Sequence, residues 1–473
     1  MALIQNESIT KSYLLQPRIQ TFLVFLLSII LLYGLKTIFS EFKLDEIRFH
    51  PQASDSLMQT LPLSILHEHP IRSLTYLHID PPLFDAIRAM LASFWTSDKG
   101  SIGDYVDRHL LTLWLILFGI LSTIIFSWVR QGTGSVLFAA LVTLIWNLHP
   151  SPISMATNID STFMGSVFVT WLIYEIWIFG RPNSSVLRVV IATTLCFLTR
   201  SLFQWYFIPV LAVSLFFVGA NKKHLTVGLC AITLIVGIFS IKQYVLFNTV
   251  VTSTFAGQSA TGVLWITEAN PRGGDTWTGY SPLPKYNKFI SVYSDNIKVK
   301  YPEGASEISA GYNTEAQWRL HLIHPQIAKD KCRAEPLYCL SGLFRSIQTN
   351  WPQYWIETWS RENTLVANLP WTSYFYRGVH HYRLELLCAF LIFSIHIFRR
   401  TPPYLVSVLG KSLVPLYVFG ICILGNWFDW YEGGRFKFFL EPSFFVFIVV
   451  QCFVAGRFLF PHARKLTLKF TAR

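Results

Sequence analysis

Long apolar runs alternate with short basic loops along this chain, and two polar stretches interrupt the alternation. The first apolar run, QTFLVFLLSIILLYGLKTIF over 20–39, has the length of a helix that crosses a bilayer and follows Lys11 and Arg18. Further runs predict helices over 109–129, 134–148, 161–179, 186–199, 202–218, 225–243, 385–398, 404–425 and 437–460. Together they predict an all-α polytopic membrane protein with about ten transmembrane helices. The polar stretches 40–108 and 244–384 divide the chain. Residues 1–243 form an N-terminal transmembrane unit with a first outer loop, 40–108. Residues 244–384 form an extracytoplasmic domain of mixed helical and irregular structure, and 385–473 a C-terminal three-helix unit. No internal repeat is visible.

The basic residues set the orientation. With the N-terminus inside, Arg130, Arg181, Arg188, Lys222, Lys223, Arg399, Arg400, Arg464 and Lys465 all fall on the cytoplasmic side, as the positive-inside bias requires. Both termini are then cytoplasmic, and both long polar stretches lie outside. The first run is too long for a cleaved signal and lacks a small-residue cleavage site, so it is expected to remain as a span. The plasma (inner) membrane of a bacterium is the expected location, or the ER membrane if the chain is eukaryotic. The sequons at Asn6 and Asn183 fall on the cytoplasmic side.

Composition agrees with the pattern. Of 473 residues 52% are hydrophobic and only 14% charged, and the mean hydropathy is +0.41. A soluble chain of this length needs more surface charge. The net charge of +12 sits in short loops between apolar runs and forms no basic stripe interleaved with aromatics, which argues against nucleic acid as a partner. Five cysteines lie in apolar helices, where they act as small hydrophobes. Cys332 and Cys339, in CRAEPLYC, are the two in the external domain. An oxidising exterior favours a disulfide between them over two reduced thiols.

Candidate chemistry gathers in the first outer loop. Asp45 and Glu46 follow the first span closely. A Pro-Pro elbow, HIDPPLF, lies further along, with His78 and Asp80 beside it. The residue before a proline is held extended, and Pro82 can open a helix. LFDAIRAMLASFW has apolar positions at helical spacing, at Leu83, Ile87, Met90, Leu91 and Phe94, and predicts an amphipathic helix lying in the membrane interface. Asp80 then sits at the N-terminal end of that helix, where its charge is favoured.

Three elements resemble the GT-C glycosyltransferases, and within them the protein O-mannosyltransferase type. LDEIRF, Leu44 to Phe49, resembles the Asp-Glu pair that follows the first span in that family. Asp80-Pro81-Pro82-Leu83 resembles its His-Pro-Pro-Leu element, with Asp at the first position and His78 two residues earlier. EGGRFKFFLEP, Glu432 to Pro442, resembles a signature near the last helix. The resemblance covers 20–130 and 430–445, and does not extend to the external domain. It implies a sugar donor carried on a polyprenyl phosphate, an acceptor hydroxyl and inversion, with membrane lipids around the site. The acceptor is a glycan, lipid or protein. By resemblance Asp45 is the base and Glu46 a secondary, acceptor-positioning carboxylate, while Asp80 and His78 belong to substrate binding.

A weakly nucleophilic hydroxyl needs a base, whereas a phosphate leaving group needs no acid. It needs a cation instead. Arg200, in LTRSLF at the predicted outer face, is one candidate; the alternative is an arginine snorkelling to the interface. Arg435 and Lys437 are the others, or they anchor a helix end at headgroups. Arg435 ranks above Lys437 because a guanidinium can hold phosphate oxygens bidentately. Asp160 reads as a helix N-cap, and Glu175 as reaching the interface. His67, His69 and His78 have no metal-binding spacing, so neither a metal nor another cofactor is expected. Two rivals remain: a secondary transporter, which calls for repeats and midplane carboxylates, and a non-catalytic scaffold with a GT-C-like core.

Overall fold

The structure is a computed structural model that describes residues 17–41, 60–157, 159–179, 184–254, 299–310, 313–342, 344, 402–424 and 438–459. Among these every regular element is helical and no strand occurs. Helix α1 spans Pro17–Glu41. Three short helices follow in the polar loop: α2 (Leu63–Glu68), α3 (Pro70–Thr75) and α4 (Leu83–Ser93). The next group is α5 (Ile102–Thr133), α6 (Val136–Asn147), α7 (Pro150–Thr157), α8 (Ser161–Trp177), α9 (Val186–Thr199), α10 (Phe207–Phe217) and α11 (Lys222–Phe247). Two helices, α12 (Glu303–Ser306) and α13 (Glu315–Ala334), belong to the second polar stretch. Two more, α14 (Pro402–Leu424) and α15 (Glu441–Leu459), lie near the C-terminus. The expected helix over 385–398 lies outside the described residues.

Local chemistry explains where the observed ends depart from the apolar runs. Helix α5 begins seven residues before its run, because the Ser101 side chain accepts the Asp104 amide at 3.1 Å and caps the first turn. It ends at Gly134, whose left-handed φ of 71° closes the last turn with an amide bond to Arg130 O. Helix α8 is capped by Asp160, which accepts the Thr162 amide at 2.6 Å. Helix α10 begins at Phe207 rather than 202, because the chain leaves α9 extended at Arg200 (φ −138°, ψ 137°).

Among the described residues three helices are long and apolar enough to cross a membrane: Pro17–Leu35, Ile102–Thr133 and Lys222–Phe247. A fourth crossing results if Val136–Asn147 and Ser151–Thr157, bent by 63°, count as one. The apolar residues these helices expose mark the chain as membrane-embedded. Phe22, Leu27 and Ile30 of α1 and Leu234, Ile238 and Ile241 of α11 are all exposed, a surface that lipid covers and water does not.

Helix α5 is the hub, packed against α1, α6, α8 and α15, while α8 also packs against α9 and α14. Polar pairs mark one end of the bundle. Arg130 donates to Gln20 Oε1 at 3.0 Å, Gln131 to the Tyr174 hydroxyl at 2.6 Å, and Glu175 pairs with Arg188 at 3.3 Å. This end is called the Arg130 face. Glu175 was expected at the interface; instead it is buried, ion-paired with Arg188 and accepting the Trp171 indole at 3.1 Å. Eight residues deeper on α1 and α5, Asn147 bridges Ser28 and Ser122, both at 2.8 Å. At ~1.5 Å rise per residue this polar knot lies ~12 Å from the Arg130–Gln20 pair.

Candidate functional site

Short helices recess a polar layer inside the bundle. Helix α6 has 12 residues and α9 has 14. They span ~18 and ~21 Å, against ~30 Å for the hydrocarbon of a bilayer. Both start at the Arg130 face, so their far ends stop inside the helical layer. His149, Asp160, Arg200 and Glu441 gather at those ends, each less than a tenth exposed. Arg200, expected at the outer face, lies at the end of α9 away from the Arg130 face. The segment Phe438–Leu440 dips to the same level, with Phe438 stacked at 6.3 Å on Trp146, which stacks on His149 at 6.1 Å.

Arg200 is held on three sides. Its guanidinium donates to Ser161 Oγ at 2.6 Å and lies 5.5 Å from the Phe439 ring centroid. Its own amide closes the last turn of α9 on Cys196 O at 3.1 Å. Gly165 makes the room. A Cβ there would stand 2.8 Å from Phe439 and 2.9 Å from the Arg200 Cγ. Thus Arg200 and the described part of EGGRFKFFLEP, distant in sequence, share one site. Ser166 fixes that segment further by donating to Phe438 O at 2.7 Å.

The Pro-Pro elbow forms a second cluster. His78 is completely buried. Its Nδ1 is 3.0 Å from Thr254 Oγ1 and its Nε2 is 3.2 Å from the Tyr301 hydroxyl. Its backbone amide donates to Asn313 Oδ1 at 3.0 Å, and its carbonyl accepts the Thr254 amide at 2.8 Å. Phe247 packs on the ring at 4.8 Å. Burial, reinforced by the Lys242 ammonium and by His321, lowers the His78 pKa to about 3. His321, which meets Thr249 Oγ1 at 2.9 Å, is lowered by burial to about 4, with a backbone contact to Thr254 opposing the shift. Burial likewise raises the Tyr301 phenol. These imidazoles are neutral near pH 7.

Helix α4 splits its predicted stripe: Leu83, Ile87 and Leu91 are partly buried against the core. Met90 and Phe94 are exposed, while Phe84, Asp85, Arg88, Ala89 and Ala92 face the protein. Arg88 donates to Asp85 Oδ1 at 2.5 Å and to Leu61 O at 2.8 Å. This buried ion pair sits where the sequence pattern shows a polar face.

Of the sequence candidates, Asp45, Glu46, Arg435 and Lys437 lie outside the described residues. Asp80 is half-buried, next to the clamped His78. The His78 ring is enclosed by protein and has no open approach. Cys332 and Cys339 are joined by a disulfide. Among the described residues no group of three His, Cys, Asp or Glu side chains comes together to hold a metal ion. Ser161, Gly165 and Phe439 were not singled out from sequence. Only the position of Ser161 beside the capping Asp160 offered a signal, and nothing local marks Gly165 as the neighbour of an arginine 35 positions away. No protein-family model, curated protein or solved structure matches this chain.

Proposed function

We propose that the chain is a GT-C-type glycosyltransferase that moves a sugar from a polyprenyl-phosphate donor to an acceptor hydroxyl on the extracytoplasmic side, with inversion. The observation that carries this reading is the recessed Arg200, braced by Ser161 and Phe439. An arginine inside an apolar helical layer is costly and marks function by default. A guanidinium suits the phosphate of a lipid carrier, because both its hydrogen bonds and its charge match phosphate oxygens. In this reading the Arg130 face is cytoplasmic, as are both termini, and the ten predicted helices cross the plasma membrane. Asp45 is the base, Glu46 positions the acceptor, and Asp80, Arg435 and Lys437 complete the substrate contacts. Displacement at a phosphate-activated sugar needs no metal.

A test uses purified protein, membranes containing acceptor, and a panel of radiolabelled polyprenyl-phosphate sugars. The wild type is compared with Asp45→Asn and Arg200→Gln. The reading expects transfer from one donor by the wild type, with each variant reduced at least ~100-fold. No transfer from any donor overturns it.

A secondary transporter is the second reading, and one observation favours it. The bend of 63° between Val136–Asn147 and Ser151–Thr157, beside buried Asp160 and Glu441, resembles the discontinuous helices that line transport sites. Solute uptake into proteoliposomes without sugar transfer would select it.

A further inference from the structure

We infer that His78 is a positioning residue, and that Thr254, Tyr301 and Asn313 act through it to set the Asp80 carboxylate. The inference rests on the glycosyltransferase reading, in which Asp80 meets substrate. With no exposed surface and both ring nitrogens engaged, His78 does not reach a ligand itself. What it does is fix the chain.

Three successive carbonyls are tied down immediately before Asp80. Leu77 O accepts from Lys242 Nζ at 2.8 Å and from Gln243 Nε2 at 3.3 Å. His78 O accepts the Thr254 amide at 2.8 Å, and Ile79 O accepts Ser253 Oγ at 2.5 Å. Asn313 holds the His78 amide from the far side. Immediately after Asp80 come Pro81 and Pro82, whose rings fix φ. The carboxylate is therefore carried on a backbone restrained on both flanks, while remaining itself half-buried. Such an arrangement holds a charged group in one geometry without requiring it to reorganise during reaction. All three groups that hold His78, namely Thr254, Tyr301 and Asn313, come from the second polar stretch. Through these groups that stretch shapes the elbow.

The test measures kcat and KM for donor and acceptor in full-length purified protein, together with the thermal midpoint. The variants are Thr254→Val, which removes the hydroxyl at nearly constant shape, and Thr254→Ser, which keeps it. Each is made in the wild type and in Asp80→Glu. The expected result is that Thr254→Val lowers kcat/KM by about tenfold, since small misplacements of a reacting group are costly, and that Thr254→Ser restores it. In Asp80→Glu, where the carboxylate already has the wrong reach, the same change is expected to cost under about twofold. An undiminished wild-type rate in Thr254→Val overturns the inference, as does an equal penalty in both backgrounds, which would mark a purely structural contact. If Asp80→Glu is inactive, failure of Thr254→Ser to rescue Thr254→Val overturns it. Absence of transfer by the wild type defeats the enzyme reading itself, and is distinguishable from each of these.

Discussion

The guanidinium carbon of Arg200 stands 5.5 Å from the centroid of the Phe439 ring, and both side chains close over Gly165. The cation and the C-terminal aromatic segment are therefore one unit, and the glycine sets their spacing. Gly165→Ala would press a methyl group to within 2.8 Å of Phe439 and 2.9 Å of Arg200. Overpacking of this kind costs about 1–3 kcal/mol. The expected outcome is a lowered thermal midpoint and a loss of sugar transfer that exceeds the loss of folded protein, because Arg200 is displaced. Phe439→Leu is expected to weaken transfer by removing the ring face. Donor titrations on the folded fraction check both.

The Asp85–Arg88 pair is buried at 3% and 0% side-chain exposure. Arg88 also supports the chain at Leu61 O, and Asp85 accepts the Leu61 amide at 3.4 Å. Arg88→Met strands a buried carboxylate and is expected to cost about 3–5 kcal/mol. Replacing both, as Asp85→Leu with Arg88→Met, is expected to cost less than the single change, because no uncompensated charge remains. Thermal unfolding in detergent, followed by loss of the monodisperse peak, reads the difference.

Docking of the second polar stretch onto the elbow depends on pH. His78 and His321 are bases held below the ordinary value of 6.5, at about 3 and about 4. The docked form therefore binds fewer protons than an undocked form. The stabilisation is full above pH 6.5 and is lost as pH falls from there toward those lowered values. At pH 5 each histidine accounts for about 2 kcal/mol of that loss. The charged groups that face His78 point the same way. Lys242 and His321 each disfavour a positive charge on His78, while the Thr254 and Tyr301 hydroxyls accept or donate equally well; at His321 the backbone contact to Thr254 opposes the effect of burial. Hydrogen exchange of 299–321 is expected to be slow at pH 7.5 and faster at pH 5, with the His78→Gln variant less responsive. Equal protection at the two pH values would contradict this.

The Ser28–Asn147–Ser122 knot joins α1, α5 and α6 inside the apolar layer. Interhelical hydrogen bonds in membranes contribute about 0.6–1.7 kcal/mol. Asn147→Leu is expected to lower stability by about 1 kcal/mol and to loosen α1, whose remaining outward surface is apolar. Increased proteolysis within 17–41 in detergent is the readout.

Much of the fold was legible in the sequence. The apolar runs located α1, α6, α8, α9, α11, α14 and α15 within about four residues, and the centre of α5, because helix length and hydropathy are local properties. What the runs missed had a local polar cause. The first two turns of α5 carry Asp104 and Asp107 yet are helical, since Ser101 caps the start. The site was less legible. Arg200 stood out as a charge between apolar runs, but its depth depends on α9 being too short to span. Its partners depend on a glycine on α8 and an aromatic ring 239 positions later. Asp85 and Arg88 lie between the apolar positions of a short helix, and packing against Leu61 and α5 buries them. Asp80 and His78 were paired as substrate contacts by resemblance to a His-Pro-Pro-Leu element; the fold encloses His78 and leaves Asp80 half-buried.

The elbow clamp also sets an order of assembly. His78 is fixed by Thr254, by Tyr301 and by Asn313, which stands 235 positions further along the chain. Helices close on local contacts as they emerge, whereas contacts between distant positions wait for the later partner. The elbow is made early and gains its shape late. Until residue 313 has been synthesised and carried to the side of the membrane where the elbow waits, the first two-thirds of the protein can insert and pack without presenting Asp80 in its final geometry. The clamp thereby ties the working site to completion of the second polar stretch.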